Sequence, residues 1–287
     1  MSLRSVAAAG LRRLPPRVRL GLLHGLGRYA PWEQGFDFSP PELEPGEVIG
    51  PPDFVGIGVQ KAGTSWWYEL IVAHPDVSAR PGIHKERHYL SRFGTSSFGP
   101  AEIETYHGWF PRQPGTLAGE WTPDYIEFPW VAPLLALAAP EARLLVMLRD
   151  PVERFLSGLA HQRRHPESAT RASVSDAVDR GFYHRALAPW SPYIGRGRLL
   201  VLQYERCSVD PVGQLARSYR FLGLDDSFTP PDLHRPVGRT KQGKLDLADD
   251  ARRRLVETYA SDVGALAGQF PELDLALWPN FAPGRVS

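Results

Sequence analysis

The sequence predicts an α/β fold, a central parallel sheet flanked by helices, on three observations. Short apolar runs at Phe54 to Gly58, Arg143 to Leu148 and Arg198 to Leu202 have the length and continuity of strands buried on both faces, with Thr116 to Trp121 a weaker fourth. Segments of helical character alternate with them, at Trp66 to Ala73, Val131 to Ala138, Pro151 to Arg163 and Val174 to Gly181. The first run leads directly into a glycine-containing loop and then a helix, the order of a phosphate-binding turn. In such sheets ligands collect at the carboxyl ends of the strands.

Before the first strand, residues 1–50 read as an extension, basic and then proline-rich. Six arginines precede the first acid, Glu33, and Arg12 to Tyr29 has the pattern of a short basic amphipathic helix. The apolar stretch Leu20 to Leu26 is broken by His24 and Gly25 and is too short to span a bilayer. The remainder, 51–281, reads as one domain, closed by an amphipathic helix over Ala251 to Phe270 and a short tail, 282–287. With 33 basic and 32 acidic residues there is no global attraction to nucleic acid or to an anionic membrane. Cys207 is the only cysteine, so intrachain disulfides and cysteine zinc clusters are excluded, and a reducing, cytoplasmic setting is expected. Only four of the basic residues are lysines (Lys61, Lys85, Lys241 and Lys244), which marks them as places where a compact ammonium suits better than a planar guanidinium.

The loop after the first strand holds Gly58, Lys61, Ala62, Gly63, Thr64 and Ser65. It fits the P-loop frame G-x-x-x-x-G-K-[ST] from Gly58 to Ser65, except that Thr64 stands at the lysine position and Lys61 lies three residues earlier. Glycines let the backbone approach an anion, and amides at the helix start point at it. The missing Gly-Lys pair argues against a magnesium-dependent nucleotide triphosphatase. A second phosphate-type segment is Arg143 to Arg164: a strand delivers Arg149, Asp150 can cap the next helix, and Pro151 suits its first turn.

QKAGTSWW resembles the 5'-phosphosulfate loop of sulfotransferases that use 3'-phosphoadenosine 5'-phosphosulfate (PAPS). The resemblance implies a P-loop-like sulfotransferase fold, with Lys61 and the amides of Ala62, Gly63, Thr64 and Ser65 on the 5' side of the cofactor. It implies no metal, because the lysine and amides supply the positive field. The family's R-[DN]-P-x-x-R segment, with a serine eight residues after the first arginine, matches Arg149 and Ser157, which would grip the 3'-phosphate. Trp66 matches a tryptophan that stacks on adenine, with Trp67 as the alternative, and Tyr204 in YERC would reach the same base. Arg239 and Lys241, in a basic glycine-containing loop where the family closes over the nucleotide, are further candidates for the 3'-phosphate.

The run Pro81 to Leu90, PGIHKERHYL, resembles the K-E-x-x-[FY]-[FL] segment of carbohydrate sulfotransferases, including the heparan sulfate enzymes, in which the glutamate is the general base. Glu86 would take the acceptor's proton, with its ionisation typical of a carboxylate or raised by burial. His84 and His88 are rivals, since the small-molecule branch uses a histidine. Where the heparan enzymes have proline after the glutamate, this chain has Arg87. Lys85, His88, Thr122, Asp124 and Tyr125, the last three in EWTPDY, are candidates for the acceptor side. The whole reads as a PAPS-dependent enzyme moving a sulfuryl group to a hydroxyl of a sugar or small metabolite. A P-loop kinase and a non-catalytic nucleotide-binding module are the alternatives.

Overall fold

The computed structural model describes residue 18 and residues 39–80, 83–162, 171–233, 247–282 and 284. The expected helix over Arg12 to Tyr29 lies outside them except for Val18, and Arg239 and Lys241 lie outside them altogether.

Among the described residues four parallel strands form the sheet: β1 (Phe54–Gly58), β2 (Gly119–Trp121), β3 (Arg143–Leu148) and β4 (Leu199–Gln203), in spatial order β2-β1-β3-β4. Every residue of β1 is buried, as are five of the six in β3, which is why both read as unbroken apolar runs. After β1 the chain crosses to one side, to β2, and then past β1 to β3 on the other. The crevice at the carboxyl ends of β1 and β3 is therefore the switch point of the sheet, where a ligand is least obstructed by crossover connections.

From residue 39 onward the α-helices among the described residues are, in chain order, α1 (Thr64–Val72), α2 (Pro100–His107), α3 (Val131–Ala138), α4 (Pro151–Gln162), α5 (Arg171–Asp179), α6 (Tyr183–Leu187), α7 (Ser191–Gly195), α8 (Tyr204–Val209), α9 (Pro211–Leu222) and α10 (Asp249–Gln269). Helix α1 starts two residues before the expected Trp66, because Gly63, at φ 89°, turns the chain into it. Strand β2 is shorter than expected: Gly119 sits so close to β1 that a Cβ there would lie 2.3 Å from the Phe54 carbonyl oxygen. Leu117 pairs separately with Val77. Asp150 caps α4 as its position predicts, its Oδ1 accepting from the amides of Val152 (2.9 Å) and Glu153 (3.2 Å). Its Oδ2 takes the amide and side chain of Asn280, which fastens the carboxyl-terminal segment to the start of α4. On α10, Tyr259, Val263 and Leu266 form the buried stripe, whereas Leu255 is only partly covered.

The extension expected before residue 51 is not detached where it is described. Arg80 donates to the Glu42 carbonyl and pairs with Glu44, and Val48 bridges Arg112, so residues 42–48 lie along the domain. No helix among the described residues is long and apolar enough to cross a membrane.

Candidate active site

The loop after β1 is shaped by two left-handed residues, Lys61 (φ 67°) and Gly63 (φ 89°). At Gly63 no side chain is possible without movement, since a Cβ would lie 2.8 Å from the Tyr204 ring. The first amides of α1 follow at once, and like those of any helix start they have no intrahelical acceptor. Ala62 is fully buried and offers only its backbone, and its amide already donates to Val59. Thr64 is buried and Ser65 half-buried.

Strand β3 ends one residue before Arg149 and sets it beside this loop. Its Nη1 donates to the Lys61 carbonyl at 3.1 Å, and its guanidinium carbon lies 4.8 Å from the centre of the Tyr204 ring. Its Nε is buried without a hydrogen-bond partner among the described residues. Trp66 stands edge-on to Tyr204 at 6.5 Å and donates from its indole to Leu233, so it remains at the rim. Trp67 is the core residue of the pair, fully buried and bonded to Ser218. Ser157 is half-buried on α4, downstream of Arg149. Lys61, Gly63, Trp66, Arg149 and Tyr204 thus come together. An orphaned guanidinium nitrogen, a cradle in which a side chain would collide and a helix start fit an anionic nucleotide.

The second half of the site hangs on β2. The Trp121 amide donates to the Lys85 carbonyl and its indole to the Gly58 carbonyl, so one residue carries the Lys85 segment to the end of β1. Gly56 makes room, since a Cβ there would lie 2.1 Å from the Trp121 ring. Glu86 is then held from two sides, Oε1 by Lys85 Nζ at 2.6 Å and Oε2 by His88 Nε2 at 3.2 Å. His88 Nδ1 is in turn bonded to Asp124 Oδ2 at 2.7 Å. His84 is exposed and stands apart from this chain of groups.

Burial works against charge on both Glu86 and His88, but their mutual bond and the neighbouring Lys85 and Asp124 prevail. Glu86 is lowered to about 2 and His88 raised to about 9. This corrects the expectation of an elevated carboxylate: at neutral pH Glu86 is an anion between two cations.

Two of the residues expected on the acceptor side lie beneath it instead. Thr122 and Tyr125 are fully buried. Thr122 Oγ1 accepts the Arg87 amide at 2.9 Å, and the Tyr125 hydroxyl donates to Glu120 at 3.2 Å. Asp124, also buried, serves His88, so this trio supports the Glu86 segment. The acid at their centre had no expected role: Glu120 takes the hydroxyls of Tyr106, Tyr125 and Thr122 and lies under the Arg87 amide, with burial raising its pKa. An acid inside an apolar strand was the available signal. Arg180 was invisible in the sequence. It pairs with Glu127 at 3.2 Å and bonds to Gln60, the residue before Lys61, across a long separation in the chain.

A family model described as "Sulfotransferase domain" matches residues 51–242. The chain is 28% identical over 235 residues to a mouse protein named heparan sulfate glucosamine 3-O-sulfotransferase 3A1, covering 74% of this chain and 57% of that one. It is 30% identical over 205 residues to mouse heparan sulfate glucosamine 3-O-sulfotransferase 6, covering 66% and 57%. The chain therefore spans little more than half the length of these relatives. Among solved structures, a sulfotransferase from Alicyclobacillus acidocaldarius matches with a TM-score of 0.63 at 22% identity, over 79% of this chain and 98% of that one, which is a likeness of fold.

Proposed function

Because this chain belongs to the sulfotransferase domain family, matched over most of its length, we propose that it moves a sulfuryl group from PAPS to a hydroxyl of a carbohydrate or small hydroxylated acceptor. The observation that carries this reading is the convergence of the Lys61 loop, Arg149 and the ionised Glu86 at the carboxyl ends of β1, β2 and β3. PAPS, when bound, supplies the sulfuryl group and a phosphate leaving group. Arg149, with Ser157, holds the 3'-phosphate, and Trp66 and Tyr204 flank the adenine. Lys61 and the amides of Gly63, Thr64 and Ser65 stabilise charge on the departing phosphate oxygen. The acceptor oxygen attacks sulfur in line, the sulfur–phosphate oxygen bond breaks, and Glu86 takes the acceptor's proton. The products are a sulfate ester and adenosine 3',5'-bisphosphate.

A carboxylate whose pKa lies near 2 is a weak base. An anionic donor group beside Lys85 and His88 draws on the same two cations, which returns basicity to Glu86 as the reactants arrive. His88 and Asp124 fix its direction. A sugar acceptor is favoured by the two heparan sulfate enzymes to which the chain is similar.

The test is nucleotide choice without metal. Adenosine 3',5'-bisphosphate should raise the melting temperature well above the shift given by AMP or ATP, with magnesium absent, and Arg149→Ala should abolish the difference. Transfer of label from sulfur-labelled PAPS to a panel of glycans and phenols then identifies the acceptor. Equal shifts with AMP and the bisphosphate would overturn the assignment.

A further inference from the structure

The loop after β1 is held by an arginine on each side. Arg149 donates to the Lys61 carbonyl at 3.1 Å, and Arg180 Nη1 donates to the side-chain oxygen of Gln60, the residue before it. Between those two bonds Lys61 keeps φ 67°, a left-handed conformation that a non-glycine residue holds only where its surroundings impose it.

The position of Arg180 is itself fixed. It follows α5, with its amide donating to the Asp176 carbonyl at 3.0 Å. The next residue, Gly181, lies so close to Tyr259 of α10 that a Cβ would come within 2.6 Å of that ring. The Tyr183 hydroxyl then donates to the Arg149 carbonyl at 2.8 Å, so the stretch 180–183 braces the Lys61 loop through Arg180 and its opposite support through Tyr183. Arg180 Nε pairs with Glu127 Oε2 at 3.2 Å. Glu127 closes the turn Tyr125–Glu127 after β2, and Ile126 in that turn packs on Gly58, where a Cβ would lie 3.0 Å from its side chain. An arginine that only neutralised its acid could set two nitrogens on the two carboxylate oxygens. This one divides them, Nε to Glu127 and Nη1 to Gln60.

We propose that Arg180 is a positioning residue for the donor side of the site: it holds Gln60, and through it the Lys61 backbone, in the shape that receives the 5' group of the nucleotide, and it ties that loop to the turn after β2. The inference rests on the Lys61 loop being the 5' end of a PAPS site.

Calorimetric titration of the full chain separates this role from a merely structural one, with adenosine 3',5'-bisphosphate and adenosine 3'-monophosphate, which lacks the 5' group, as the probes. The wild type should bind the bisphosphate more tightly. Arg180→Met, which keeps the apolar stem, should weaken the bisphosphate by about tenfold, the scale of one hydrogen bond from a charged donor, and leave the monophosphate within about twofold. Gln60→Leu, which removes the acceptor at the other end of the bond, should do the same, and it carries the test if Arg180→Met does not fold. Where both fold, the double variant should be no weaker than the weaker single, whereas independent losses would multiply to about a hundredfold. Unchanged bisphosphate affinity in a folded variant, an equal loss for both nucleotides, or multiplying losses would overturn the proposal and leave the PAPS reading standing. A wild type that binds the two nucleotides equally would overturn that reading, and this inference with it.

Discussion

Glu86 is poised by its partners rather than by its own chemistry. Lys85 and His88 each occupy one oxygen, Asp124 secures His88 from behind, and the result is a carboxylate ionised throughout the physiological range. Glu86→Gln keeps the shape and removes the proton acceptor. Turnover should fall by roughly two to four orders of magnitude while bisphosphate binding persists, as single-turnover rates and thermal shifts would report. His84→Ala should leave turnover within a few-fold, since His84 is exposed and outside the chain of groups. A dead His84 variant beside an active Glu86→Gln would transfer the proton to a histidine mechanism. At this scale Lys61, Glu86 and Arg149 could be singled out as candidates because each stands in a short motif with a chemical reason for its type. The role of Asp124 could not, because it depends on a contact across thirty-six residues that no local pattern encodes.

At the scale of elements, β1, α1, β3 and α4 were readable because burial on both faces gives an unbroken apolar run and because Asp150 and Pro151 announce a helix start. Strand β2 was blurred by its brevity: three residues carry no periodicity, and the two glycines that admit it to the sheet, Gly56 and Gly119, are recognisable only from their neighbours. The loop joining β1 to α1 shows what such a close approach requires. Gly63 combines a φ of 89° with a Tyr204 ring 2.8 Å from where a Cβ would stand. Gly63→Ala should therefore destabilise the fold by about 1–3 kcal/mol through backbone strain and displacement of the ring. Because Tyr204 is also the surface on which Arg149 rests, the thermal stabilisation by adenosine 3',5'-bisphosphate should fall as well. Urea unfolding and the ligand-induced shift measure the two separately. A variant with normal stability and normal ligand shift would show that the loop does not need this geometry.

For the molecule as a whole, the same cluster ties global stability to pH. His88 is held above its ordinary pKa, at about 9, by Asp124 and Glu86. A proton bound more tightly in the folded state stabilises that state, so the contribution is complete below about 6.5 and is lost as pH rises through about 9. Glu86 acts on the acid side. Lowered to about 2, it contributes fully above about 4.5, and that contribution is lost as pH falls towards 2. Glu127, raised to about 7 by burial, runs the other way, its cost growing as pH rises from 4.5 to 7 and staying constant thereafter. Above pH 8, then, both carboxylates are ionised and His88 is the group among these three whose protonation changes. His88→Asn replaces the imidazolium by a neutral side chain that still hydrogen-bonds. The wild type should exceed this variant in unfolding free energy by on the order of 2 kcal/mol at pH 6.5, and the gap should narrow steadily towards pH 9.5. Urea midpoints of both proteins across that range give the difference directly. A gap that does not change with pH would mean that His88 is neutral in the fold, and with it the account of Glu86 as a carboxylate between two cations would fail.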